Sequence, residues 1–171
     1  NTVGGILGGR VPLAGVWHAA GVLSDGLLRS QNAATIKRVF APKAFGGWAL
    51  HAATQASPLD ACVLFSSIAA LLGGTAQSNY AAANTTLDSL GGARRVRGLI
   101  SSSVQWGPWA EVGMAADASV NARIQAMGIG LIGLAEGTRA FQATLLPQAP
   151  SVIALWMVKW SKFLGLMSEV P

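Results

Sequence analysis

The stretch LDACVLFSSIAALLGGTAQSNYAAANTTLDSL, residues 59–90, is the key to the architecture. Its first part, LDACVLFSS, is a short apolar run with a valine and a phenylalanine, closed by a serine pair. A continuous run of this kind reads as a strand buried on both faces, as in a parallel sheet. After a glycine pair comes an alanine-rich segment, predicted as a helix over residues 77–95. It carries the only tyrosine of the chain, Tyr80, with Asn84 four positions on. Residues four apart share a helix face, so Tyr80 and Asn84 point the same way.

Three further apolar runs resemble the first: LAGVWHAAG (residues 13–21), LISSSVQWG (99–107) and SVIALWMV (151–158). Helical patterns separate them over residues 35–54, 77–95 and 134–145. Pro42 marks a break in the first, where a new helix can begin without losing a needed N–H. Alternating strands and helices predict an α/β fold: a Rossmann-like parallel sheet with helices on both faces. Ligands in such sheets bind at the carboxyl ends of the strands. The residues to interrogate are therefore His18-Ala19-Ala20-Gly21, Ser66-Ser67 and Trp106-Gly107-Pro108-Trp109. Residues 111–133, rich in Gly, Ala and Met, read as a mobile lid or a short helical insertion.

Composition excludes several classes. Of 171 residues, 51% are hydrophobic and 11% charged, which argues for one packed domain and against disorder. One cysteine, Cys62, inside an apolar run, reads as a small core residue, and two distant histidines make no zinc site. The longest apolar runs fall short of the ~20 residues that span a bilayer, and no charged-then-apolar leader opens the sequence. A soluble, cytoplasmic protein is the expectation. The net charge is +5, but the basic residues are scattered apart from GARRVRG (residues 92–98). That cluster is either a solvated helix end or a docking spot for an acidic group; it is too short for a nucleic-acid face. VGGILGGR (residues 3–10) lacks the spacing of a phosphate loop and is followed by Pro12, so it reads as a connection.

Ser67 lies thirteen positions before Tyr80, and Lys43 sits on a helix leading into the Ser67 strand. A phenol, a serine hydroxyl and a lysine at one strand edge form a working set for carbonyl reduction. The lysine cation favours the phenolate and so tunes a group whose ordinary pKa is near 10. The phenol then protonates a developing alkoxide while the serine polarises the carbonyl. Asn84 can hold a water or a backbone group that relays the proton. A lone tyrosine on an alanine-rich helix is more often a core residue with a satisfied hydroxyl, so the residues alone leave both readings open.

GVWHAAGVLSDGLL, VFAPKAFGGWALH, VLFSSIAALLGGTAQSNYAAANTTLDSL and VQWGPWAEVGMA resemble, in this order, the ketoreductase domains of modular polyketide synthases. These are short-chain dehydrogenase/reductase relatives of the animal fatty-acid synthase ketoreductase. The resemblance runs from about residue 12 to 164 and implies Ser67, Tyr80, Asn84 and Lys43 as the catalytic set. Most of the superfamily has lysine four residues after the tyrosine; this subfamily has asparagine there and takes its lysine from upstream, as here. The resemblance further implies NADPH as cofactor, with contacts at His18, Ala19, Ala20, Gly21, Ser66, Gly107, Pro108 and Met114. His18 as a capped strand-end residue, and Trp106 and Trp109 as core aromatics, are the competing readings.

Stereochemistry follows from the same resemblance. The D-alcohol-forming class carries Leu-Asp-Asp where this chain has Leu23, Ser24 and Asp25, so the final Asp is kept. The opposite class has a tryptophan eight residues before the tyrosine, where Leu72 stands. The implied reaction is reduction of a 3-oxoacyl thioester tethered to an acyl carrier protein, within a multidomain synthase and without nucleic acid or membrane. The resemblance makes residues 13–18 the fourth strand of the family fold. Residues 1–12 are then a linker or preceding segment, 13–165 the catalytic portion, and 166–171 a tail. The glycine-rich turn that holds the cofactor pyrophosphate is absent from this stretch. The expectation is a fragment whose catalytic set is intact; a non-catalytic structural piece is the alternative.

Overall fold

The computed structural model describes residues 12–110, 118–146 and 148–167. Its centre is a four-stranded sheet, every neighbouring pair parallel, in the order β1 (Gly15–His18), β2 (Ala61–Ser67), β3 (Ser102–Trp106) and β5 (Val152–Leu155). Helices cover both faces, as the alternation of elements predicts. β1 is an edge strand among the described residues, and its Trp17 is exposed.

Strand β2 shows why the apolar run needs both faces. Cys62 and Leu64 point to one side and pack with Leu87 and Leu90 of the long helix α4 (Ser78–Val96). Val63 points the other way, with Val104, Trp106 and Ile132, and Phe65 and Phe141 pack around them. Alternation along the strand thus divides one hydrophobic run between two cores. Helix α6 (Leu134–Thr144) supplies Phe141 to the second core.

Between β1 and β2 the chain forms α1 (Ala33–Phe40), a π-helical turn (Ala41–Phe45) and α2 (Gly46–Thr54) without interruption. Asn32 caps α1 by accepting from the N–H groups of Ala34 and Thr35. Pro42 therefore marks no break: it lies in the first turn of a π-helical segment that continues the helix. The turn carries Lys43.

Two more expectations change, and the short helical insertion expected within 111–133 is present. The run 151–158 is two strands: β5 extends the main sheet, and β6 (Met157–Val158) pairs antiparallel with β4 (Ile129–Gly130). Within 111–133 there is a helix, α5 (Ala118–Ala126), followed by β4; residues 111–117, with Met114, lie outside the described residues. In GARRVRG, Arg94 is neither solvated nor available for docking. It is buried, donating to His51 Nδ1 at 3.0 Å and to the Ile100 carbonyl. Arg95 reaches the Ala149 carbonyl at 2.6 Å. A short helix, α3 (Ala69–Leu72), follows β2, and α7 (Trp160–Met167) ends the described chain. Among the described residues no helix is long and apolar enough to cross a membrane.

Two adjacent glycines in α4 have opposite surroundings. A Cβ on Gly91 would stand 3.1 Å from the Ser151 carbonyl oxygen and 3.2 Å from Ser103 Cβ; one on Gly92 would meet nothing within 4 Å. At Gly91 the helix lies close against the sheet. Gly91→Val is expected to destabilise by about 1–3 kcal/mol through overpacking. Gly92→Ala is expected to stabilise by about 0.5–1 kcal/mol through helix propensity. Denaturant midpoints of the two variants check both signs.

Candidate active site

The carboxyl ends of the strands bring the site together. The register pairs Ser67 of β2 with Trp106 of β3, so both strands end at one level. Ser67 Oγ accepts from the Ala69 N–H at 3.2 Å, turning the chain into α3. Opposite it, the first turn of α4 carries Tyr80, and Asn84 lies one turn deeper; both are buried.

Lys43 is also buried, at 3% exposure, an unusual place for an ammonium group. Its Nζ donates to the Phe65 carbonyl at 2.8 Å and lies 5.6 Å from the centre of the Tyr80 ring. That places the cation between the end of β2 and the phenol's face, within cation–π range. Burial lowers its pKa to about 8, opposed by the negative charge of Asp88. Burial raises the pKa of the Tyr80 phenol; Ser67 and Asn84 draw it back down, and Asp25 pushes it up. Asn84 Nδ2 donates to the Tyr80 carbonyl at 2.8 Å. Its Oδ1 is buried and accepts no hydrogen bond.

His18 closes β1, and its side chain turns inward. Its Nε2–H donates to the Lys43 carbonyl at 2.9 Å, holding the π turn against the sheet. Burial keeps its pKa low, so the neutral ring is the form that packs there. Ala19 and Ala20 are exposed beyond it. Glycine at 21 leaves room for the lysine, because a Cβ there would stand 3.1 Å from Lys43 Cε. Ser66 faces inward too, its Oγ donating to the Asn84 carbonyl at 3.3 Å. Gly107 and Pro108 follow β3, and a Cβ on Gly107 would come within 2.8 Å of Trp156 Cβ. Trp106 and Trp109 pack together at 4.9 Å between ring centres, against the second core.

The loop after β1 is clasped to the start of α4. Asn79 Nδ2 donates to the Ser24 carbonyl at 2.8 Å, Gln77 Nε2 to Asp25 Oδ2 at 3.1 Å, and the Gly26 N–H to the Ala76 carbonyl at 2.8 Å. Leu23 packs against the cluster containing Tyr80. Leu72, at the end of α3, is exposed. Sequence reasoning passed over Asn79, although an asparagine at a helix start beside the tyrosine is a legible signal. It also passed over Asp88, two turns beyond Tyr80 on the same face.

Lys43 makes stability depend on pH in a definite direction. Its pKa falls from 10.5 in the unfolded chain to about 8 in the fold. Between those values the unfolded state binds more protons, so stability rises with pH; the gain is complete above the upper value and lost as pH falls to the lower one. Over that window the wild type is expected to gain on the order of 3 kcal/mol relative to Lys43→Met, read as the difference between their denaturation curves.

Comparison with known proteins bears on the family and the fold. The family described as the KR domain matches residues 3–111. A phenolphthiocerol/phthiocerol polyketide synthase of Mycobacterium tuberculosis is 44% identical over 133 residues, covering 78% of this chain and 6% of that protein. Solved A-type ketoreductases from a modular polyketide synthase superpose with a TM-score of 0.90 at 34% identity, over 96% of this chain and 35% of theirs. A blue fluorescent protein from a metagenomic library, solved in complex with NADPH, shares the fold at a TM-score of 0.73 and 19% identity, over 90% of this chain and 67% of its own. The chain belongs to the KR-domain family, the ketoreductase domains of polyketide synthases.

Proposed function

We propose that the chain forms the catalytic portion of an NADPH-dependent ketoreductase. It reduces a carrier-tethered 3-oxoacyl thioester to the 3-hydroxyacyl thioester, working in the cytoplasm beside other domains of a synthase. One observation carries the reading: Ser67, Tyr80 and the buried Lys43 converge at the carboxyl edge of a parallel sheet.

The residues that would hold the cofactor are the turn from His18 to Gly21, exposed at Ala19 and Ala20, Ser66 near it, and Gly107 with Pro108; Met114 belongs to the same expectation. By the family resemblance, Gly107 and Pro108 would lie against the nicotinamide and the His18–Gly21 turn beside the nucleotide. Glycine at 21 leaves space that Lys43 already fills, and glycine at 107 lets the chain pass Trp156 closely. When bound, NADPH supplies the hydride to the carbonyl carbon.

Ser67 donates a hydrogen bond to the substrate carbonyl oxygen and fixes its place. Tyr80 gives its proton to that oxygen as negative charge develops there, yielding the alcohol. Hydrogen bonding with Ser67 and Asn84 opposes the rise that burial imposes on the phenol, and Lys43, a cation below pH about 8 whose Nζ lies 5.6 Å from the ring centre, favours the phenolate further. Asn84 holds the Tyr80 carbonyl and offers a free acceptor, Oδ1, for a relaying water. The net charge of +5 suits an acidic carrier protein.

Tyr80→Phe keeps the ring and loses the proton. Reduction of a 3-oxoacyl thioester, followed by NADPH consumption in the synthase that contains this chain, is expected to fall by about 10²-fold or more. Persistent turnover in that variant would sink the assignment.

The product is assigned the D configuration. Leu23 packs beside the Tyr80 cluster, Asp25 is fixed by Gln77, and Leu72 stands where the opposite class has tryptophan. Chiral chromatography of the released hydroxy acid is expected to show the D isomer; the L isomer would overturn this part alone.

A further inference from the structure

β3 poses a problem of its own. It is buried along its whole length, yet two of the residues it turns towards α4 are polar: Ser103, at 0% exposure, and Gln105, at 8%. Apolar side chains would fill such a face without any hydrogen-bond requirement. Both polar groups are satisfied by one residue. Ser103 Oγ donates to Asp88 Oδ1 at 2.6 Å, and Gln105 Nε2 donates to Asp88 Oδ2 at 2.9 Å. Each carboxylate oxygen therefore has its own donor, and the acid cannot rotate away.

Asp88 lies on the stripe Tyr80, Asn84, Asp88, spaced by four along α4, so its place on β3 sets the place of the other two. The helix can come near enough because Gly91, three residues on, lets backbone approach backbone at Ser103. The 2.6 Å bond is short, as hydrogen bonds to an ionised acceptor are.

We propose that Asp88 is a positioning residue for the Tyr80–Lys43 pair: pinned by Ser103 and Gln105, it seats α4 at a fixed height on β3 and places a carboxylate behind the reacting groups. The inference rests on the ketoreductase reading for its catalytic meaning. Its electrostatic part stands on the fold alone. The groups around Lys43 are His18 on β1 and Tyr80 and Asp88 on α4; on its own continuous helix it is flanked by Lys37, Arg38 and His51, while Asp25 faces the phenol. His18 is held neutral by burial, so it does not offset the lysine, and Asp88 is the charge that favours the cation. Without that charge, desolvation acts unopposed and the lysine loses its proton at lower pH.

The test is Asp88→Asn in the intact synthase domain, which keeps the side chain's shape and an acceptor but removes the charge. Lys43 is followed by NMR titration with labelled lysine, its resonance assigned by loss in Lys43→Met, so no turnover is needed. The Lys43 midpoint is expected to move to lower pH. The falling alkaline limb of the kcat profile should move with it, with kcat at neutral pH lower severalfold and KM unchanged. Ser103→Ala, which keeps the charge, should lower stability and leave the midpoint in place. If Asp88→Asn fails to fold, Asp88→Ser, smaller but neutral and still able to accept from Gln105, carries the same comparison. An unmoved Lys43 midpoint overturns the proposal. So does a moved midpoint with an unchanged kcat profile while Tyr80→Phe is inactive. Activity surviving in Tyr80→Phe would instead remove the ketoreductase reading and leave the titration result standing.

Discussion

The seating of α4 on the parallel sheet is the constraint from which the other features follow. Leu87 and Leu90 bury against Cys62 and Leu64, and Gly91 lets the helix pass Ser103 at backbone distance. Two hydrophobic side chains fix the helix's rotation, and one missing side chain lets it lie close to the sheet. Given both, the first turn of α4 can only emerge at the carboxyl edge, beside Ser67. Tyr80 and Asn84 are then carried to that edge by helical periodicity. A shift of one residue along α4 would turn this pair away from Lys43.

Burial sets the electrostatics of the site. Lys43 is taken out of water but given a carbonyl, an aromatic face and a remote carboxylate in exchange. Its pKa comes down into the range where a cation is useful but not permanent. His18 contributes differently: as a neutral ring it ties the Lys43 carbonyl to the end of β1, which keeps the π turn in register with the sheet. π turns inside helices occur frequently at functional sites, and the one here carries Lys43, whose side chain is buried.

Much of the fold is legible in the residues. The runs at 13–21, 59–67 and 99–107 each contain one strand of the sheet, because a strand covered on both faces has no choice but a continuous apolar pattern. Less legible is what depends on distant partners. The run 151–158 looks uniform, yet it serves two sheets, since its second half finds β4 across a turn that no local pattern announces. Pro42 signals a helix boundary by every local rule, and a π turn accommodates it. Arg94 belongs to a basic cluster in sequence but is paired with His51 and Ile100 across the fold. Of the candidate site, the spacing from Ser67 to Tyr80 to Asn84 is visible in the residues, as is a lysine upstream. Asp88 is not, because its role is hydrogen bonds with residues 15 and 17 positions away; Asn79 is legible as a residue at a helix start, but its partner 55 positions away is not.

Local periodicity was enough for the alternation of strands and helices, the strand end at Ser67 and the shared face of Tyr80 and Asn84. Each of these depends only on neighbouring residues, so the amino-acid order alone settles it. Three other features waited on the closed chain: Lys43 reaches the phenol's face, His18 serves the lysine's backbone, and polar Ser103 and Gln105 in a buried strand both answer to Asp88. Each is a matter of desolvation and partner geometry, and a buried polar group's partner is settled only once the chain has folded around it.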